Sequence, residues 1–198
     1  MKKIVLAGLI ALALSAGAFA QTAQPAQSAY ALIAAGSSRF GVDCAGTTSC
    51  DKTDTGWKVF GGYRFTPNWA AEVGYFDFGK AKATLNDAQL GVVSAAVEST
   101  AIGLGVAFHQ DLAADWPCVA RLGVASVKTR VSASVTGASG NDSDRSANGY
   151  VGLGIGYRLS RIVSADLAWD YTRSKYNKNG LDASGNVNMV SLGLTVGF

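Results

Sequence analysis

Apolar and small or polar residues alternate along this chain with a period of two. That is the mark of β-strands whose two faces meet different surroundings. At the C-terminus Val190, Leu192, Leu194, Val196 and Phe198 share one face, and Met189, Ser191, Gly193, Thr195 and Gly197 the other. Over 150–159, Val151, Leu153, Ile155, Tyr157 and Leu159 stand opposite Gly152, Gly154, Gly156 and Arg158. The stretch 162–172 sets Val163, Ala165, Leu167, Trp169 and Tyr171 against Ser164, Asp166, Ala168 and Asp170. Residues 57–65 set Trp57, Val59, Tyr63 and Phe65 against Lys58, Gly62 and Arg64, and 101–108 set Ile102, Leu104, Val106 and Phe108 against Ala101, Gly103, Gly105 and Ala107.

A soluble sandwich turns its apolar face inward and its polar face to water. Here the polar face is mostly Gly and Ala with isolated charges, which suits a crowded, curved interior. The apolar face carries aromatic residues at both strand ends. A transmembrane barrel has this inverted pattern: apolar side chains toward lipid, a polar lumen and aromatic girdles. The pattern therefore predicts an all-β fold, an eight-stranded antiparallel up-and-down transmembrane β-barrel. Its strands are expected near 28–36, 56–66, 68–79, 94–108, 116–131, 148–160, 162–174 and 187–198. The connections 66–68, 109–115 and 161 are short, whereas 37–55, 80–93, 132–147 and 175–186 are long and polar. Short periplasmic turns and long outer loops have this asymmetry. Against that direction Phe65, Trp69, Phe108, Trp116, Tyr157 and Phe198 fall near the short-turn ends, and Trp57, Tyr75, Trp169 and Tyr171 nearer the long-loop ends. Two such rings suit the two membrane–water interfaces. In hydrocarbon no water pairs an exposed strand edge, so the sheet must close on itself. Eight strands leave a lumen roughly filled by side chains, which argues against a wide pore.

The first twenty residues read differently. Lys2 and Lys3 begin them, Ile4 to Leu14 form an apolar run, and Ala18-Phe19-Ala20 supplies small residues before Gln21. This predicts a cleaved secretory signal peptide over 1–20 and a barrel domain over 21–198. No Cys follows the cut, which argues against lipid attachment there. Mean hydropathy is +0.18 over 198 residues, yet no later stretch supplies the roughly 20 apolar residues of a membrane helix. Without Lys2 and Lys3, 15 basic residues face 14 acidic ones. A balance so near neutral gives no electrostatic footprint for nucleic acid.

One hairpin is used twice. Residues 62–72 and 156–166 both read Gly-Tyr-Arg followed by an acid eight residues after the Arg. Parity across the turn places Arg64 and Glu72 in the lumen as diagonal neighbours, and Arg158 and Asp166 likewise. Arg121, beside Leu122, also faces inward. The expectation is a lumenal ion network of Arg64, Glu72, Arg121, Arg158 and Asp166, with Lys58 and Asp170 as further members, since buried charges must be paired. Charges solvated at a wet rim are the plainer alternative.

Cys44 and Cys50 lie in the first long loop, and an exported chain is free to bridge them. Cys118 falls near the opposite end and is expected to be a free thiol. Three Cys so placed make a poor metal site, and no cofactor motif appears: Gly152, Gly154 and Gly156 alternate within a strand, without the helix a dinucleotide site needs. His109 is the single His and falls in a short turn, away from the outer loops, with no nucleophile–base pair in view. No catalytic activity is expected.

The run from Gly56 to Gly79 (GWKVFGGYRFTPNWAAEVGYFDFG) resembles the second hairpin of the OmpA-like outer-membrane barrels of Gram-negative bacteria. The ending Val190, Leu192, Leu194, Val196, Phe198 is similar to that family's C-terminal signal, which the barrel-assembly machinery reads. The resemblance covers the mature chain in layout and is motif-specific over about 56–79, 150–160 and 187–198. It implies an eight-stranded barrel with an ion-paired interior and a role in envelope integrity, in some members with adhesion or weak conductance. The chain stops at its last strand, so a peptidoglycan-binding domain and a tether to the cell wall are not expected. Three functions follow: a structural envelope barrel, a narrow channel of porin-like or OmpW-like kind, or a surface interaction protein acting through its outer loops. The expected partners are the lipid bilayer and lipopolysaccharide, whose phosphates Lys52, Lys80, Lys82, Arg145, Lys175 and Lys178 are placed to meet. Ordinary solvated loop charge is the plainer reading of those cations.

Overall fold

The computed structural model describes residues 28–41, 44, 47–87, 91–135, 138–178 and 181–198. The signal-peptide expectation for 1–20 lies outside the described residues. Period-two stretches become strands throughout: β1 (Ala29–Phe40), β2 (Ser49–Asp51), β3 (Thr53–Arg64), β4 (Trp69–Asp87), β5 (Gly91–Ala113), β6 (Trp116–Val135), β7 (Ala138–Arg158), β8 (Val163–Lys178) and β9 (Leu181–Gly197). Eight of them form an antiparallel up-and-down ring in the order β1-β3-β4-β5-β6-β7-β8-β9. The ring closes where β1 meets β9, from Tyr30 opposite Gly197 to Phe40 opposite Val187. The Phe198 amide donates to the Ala29 carbonyl at 2.9 Å. The three-residue β2 is an addition to β4 above the ring.

The short turns are held by their own side chains. The Thr66 hydroxyl accepts from the Trp69 amide at 2.9 Å, and the Ser160 hydroxyl accepts from the Val163 amide at 3.1 Å. Between β5 and β6 only Ala114 and Asp115 remain outside the strands. The expected turn over 109–115 is thus corrected: His109 lies within β5, opposite Val119.

The other end differs more from expectation. Residues 80–93, 132–147 and 175–186, expected as loops, largely continue the strands. Val135 pairs with Ala138, and Lys178 with Leu181. The reason is that an antiparallel ladder needs only facing backbone groups. Above the membrane both faces are wetted, so pairing persists without the apolar alternation that reveals it. At about 3.3 Å per residue, the 23 residues of β5 extend far beyond the 9–11 that cross a bilayer. A bulge marks the change of regime in β4, where the register shifts between Asp77 and Lys80. Gly79 sits there at φ +73°, a conformation an L side chain rarely tolerates. The Asp77 and Asp54 carboxylates accept from the amides of Gly79 and Lys80 at 3.0 and 2.7 Å.

Burial is inverted relative to a soluble domain. Ile33, Leu104 and Leu192 are 61%, 63% and 69% exposed, whereas Lys58 and Glu72 are 0% and 1% exposed. Large apolar side chains left outward in a continuous band would be unfavourable in water and are at home against acyl chains.

Candidate functional site

The interior is built from the inward residues of alternate strand positions. Several of these carry charge. The Lys58 ammonium on β3 is ion-paired with Asp170 on β8. Arg121 Nε on β6 donates to Glu72 Oε2 on β4 at 2.8 Å. The Tyr30 hydroxyl donates to the other Glu72 oxygen at 2.5 Å and lies 3.0 Å from His109 Nε2. Both cations approach the Phe60 ring, with Arg121 Cζ at 5.2 Å and Lys58 Nζ at 5.8 Å from its centroid. Every one of these charges is fully or almost fully buried, where an unpaired ion costs several kcal/mol.

Within each hairpin the Arg and the acid are diagonal neighbours, as expected, but their polar contacts run elsewhere. Register sets Glu72 opposite Gly62 and Arg64 opposite Ala70. It also sets Asp166 opposite Gly156 and Arg158 opposite Ser164. Arg64 lies over the Tyr30 ring, 5.1 Å from its centroid. Arg158 donates to both Asp111 oxygens at 2.6 and 2.8 Å and to the Ala114 carbonyl. Asp166 accepts from Thr195 at 2.7 Å and from Ser164 at 3.2 Å. Among the five residues Glu72 and Arg121 meet directly as an ion pair. Between Glu72 and Arg121 stands only β5, whose facing residues Gly105 and Ala107 are small and leave the two side chains room to meet.

Among these polar groups the lumen also holds an aromatic cluster, which the polar lumen of the sequence reading did not include. Phe76 packs edge-on to Phe60 at 5.0 Å, is stacked on Phe78 at 5.3 Å and meets Tyr150 at 5.7 Å. Leu32, Phe40, Val127, Val187 and Met189 complete this cluster. Room for it comes from small residues on facing strands. A Cβ on Gly123 would stand 2.4 Å from the Tyr150 ring and 2.5 Å from the Leu104 carbonyl oxygen. Parity was the available signal: Phe60 shares its face with Lys58, and Phe76 and Phe78 theirs with Glu72.

On the outside, aromatic side chains cluster at two heights. Trp69 meets Phe108 at 5.1 Å and Trp116 meets Tyr157 at 5.2 Å near the short turns, where Phe65 and Phe198 are also exposed. Trp57 meets Tyr75 at 5.3 Å, and Trp169 meets Tyr171 at 6.2 Å, nearer the long hairpins. Val190, Leu192 and Leu194 of β9 point outward, with Val196 half-buried. Beyond the upper aromatics lies a belt of cations. Lys80 and Arg130 flank Glu98 at 3.7 and 3.9 Å, Lys128 stands opposite Arg145 on the neighbouring strand, and Lys82 is exposed. Side chains of Lys175 and Lys178 lie outside the described residues. Cys44 and Cys50 are joined as a disulfide with Cα atoms 6.1 Å apart, and Cys118 is a half-buried free thiol. Among the described residues no group of three His, Cys, Asp or Glu is placed to hold a metal.

Comparison with known proteins matches residues 24–198 to the model of the OmpA-like transmembrane domain. A search of curated protein sequences finds no match. Among solved structures, Neisserial surface protein A is similar with a TM-score of 0.59 at 16% identity, covering 88% of this chain and 100% of that one. The attachment invasion locus protein Ail of Yersinia pestis is similar at 0.55 and 17%, covering 86% and 99%. The N-terminal barrel domain of Pseudomonas aeruginosa OprF is similar at 0.51 and 14%, covering 87% and 98%. At these identities the likeness is one of fold.

Proposed function

The chain belongs to the family of OmpA-like transmembrane domains, and from that premise we propose that it is a structural barrel of the Gram-negative outer membrane with a lumen shut to solutes. The observation that carries this reading is the filled interior, buried ion pairs packed among aromatic side chains. Lys58, Glu72, Arg121 and Asp170 act as a lumenal ion network tying four strands together across the bore. Arg64, Arg158 and Asp166 extend it at the short-turn mouth. The test is planar-bilayer recording on protein first shown to be folded by a boiled-versus-unboiled gel shift. A silent bilayer is expected. A steady conductance would overturn the closed lumen and favour a narrow channel. His109 is engaged by Tyr30 inside the barrel, and the proposal gives it no catalytic part.

In this reading residues 1–20 direct export, the short turns face the periplasm and the long hairpins face the exterior. Phe65, Trp69, Phe108, Trp116, Tyr157 and Phe198 sit at the inner interface, and Trp57, Tyr75, Trp169 and Tyr171 at the outer one. Val190, Leu192, Leu194, Val196 and Phe198 present the strand that the assembly machinery reads during insertion. The belt of Lys80, Lys82, Lys128, Arg130 and Arg145 contacts lipopolysaccharide phosphates. Support for that contact is its height, just beyond the upper aromatics, and the scarcity of acids within it. Neutralising Lys128 and Arg145 together should reduce lipopolysaccharide retention on purification. The projecting hairpins favour a second reading, a surface interaction protein acting through its outer loops. Binding of intact cells to host matrix, lost when the hairpin tips are deleted, would carry it.

A further inference from the structure

At the short-turn end the barrel opens into a cavity of about 380 Å³. Its wall carries four guanidinium groups, those of Arg64, Arg121, Arg158 and Arg161, against one carboxylate, Asp166. Arg158 is engaged with Asp111 and the Ala114 carbonyl, and Asp166 accepts from Ser164 and Thr195. Arg121 is the telling member. It is 4% exposed, its Nε is spent on Glu72, and its Nη1 has no hydrogen-bond partner among the described residues. The other Glu72 oxygen accepts from Tyr30. The Phe60 ring lies 5.2 Å from the guanidinium carbon and supplies no acceptor of the ordinary kind. Asp170 Oδ1, across Gly152 from Arg121, is likewise without a partner, and Arg121 lines the cavity. A buried cationic donor without an acceptor is costly, and native folds rarely leave one so.

We propose that this cavity is a binding site for a phosphate group. Arg121 Nη1 donates to it from the cavity floor, and Arg64 and Arg161 hold it from the walls. Guanidinium groups match phosphate oxygens through charge-assisted paired hydrogen bonds. Three guanidiniums converging on one cavity suit the three or more oxygens of phosphate better than the two of a carboxylate. Free phosphate and a phosphate ester present the same oxygens to these donors, and the experiment separates them.

The full chain, folded in nanodiscs of neutral lipid and in phosphate-free buffer, is titrated with inorganic phosphate in one arm and glycerol 3-phosphate in another. Binding is followed by calorimetry and phosphorus NMR line width. Saturable binding in either arm is expected, and the arm with the lower Kd identifies free ion or ester as the preferred form. Arg64→Gln and Arg161→Gln should each raise Kd about tenfold while leaving the heat-dependent gel shift intact. Lys80→Gln, on the outer belt, should leave it unchanged. Absence of saturable binding in both arms would overturn the proposal. So would binding that survives both cavity variants or is lost with Lys80→Gln.

Discussion

Exchanging Glu72 for Gln tests the buried ion pairs with the smallest change of shape. Glu72 is 1% exposed and accepts two hydrogen bonds, from Tyr30 at 2.5 Å and from Arg121 at 2.8 Å. The amide keeps the volume but loses the charge and turns an NH2 toward one of the two donors. Arg121 then becomes a buried cation stripped of its partner, a loss worth about 3–5 kcal/mol. The mismatched hydrogen bond is on the order of 1 kcal/mol by itself, but it shares the same desolvated Arg121 and is not added on top. Urea unfolding of protein folded into lipid vesicles, followed by Trp fluorescence and by gel shift, measures the change. Removing both partners, as Glu72→Leu with Arg121→Met, leaves no orphan charge. Such replacements are often neutral or stabilising by about 1–4 kcal/mol, so the double variant should be more stable than Glu72→Gln. The reasoning is refuted if Glu72→Gln lies within about 0.5 kcal/mol of wild type. It is equally refuted if Glu72→Leu and Arg121→Met add independently.

Phe76→Ala should cost about 3–5 kcal/mol and admit current in bilayer recording, and an unchanged silent trace would place the constriction elsewhere. Gly123→Val puts side-chain atoms where the Tyr150 ring and the Leu104 carbonyl already stand, so the heat-sensitive folded band should vanish on gels. Leu192→Arg places a cation on an outward position that is 69% exposed. Vesicle unfolding should register a loss of about 2–4 kcal/mol if that position lies at mid-membrane, and a neutral result would put that face in water.

The parts of this fold legible from the chain alone are those governed by strict alternation. Val151, Leu153 and Ile155 had to share a face because successive side chains of a strand point to opposite sides. Their size against Gly152 and Gly154 showed which side was crowded. Strand number and direction followed from the spacing of short and long connections. The strand ends at the long hairpins were not legible, because wetted Ser, Thr and Asn alternate with nothing that marks a face.

Alternation says that Glu72, Arg121, Lys58 and Asp170 turn inward, and it stops there. Which acid meets which base was decided by closure of the ring, as was the nesting of Tyr150 over Gly123 and the stacking of Phe76 on Phe78. Facing inward is a local property, set by a repeat of two residues. Partnership across the bore depends on the stagger accumulated around eight strands, and no window along the chain contains that sum.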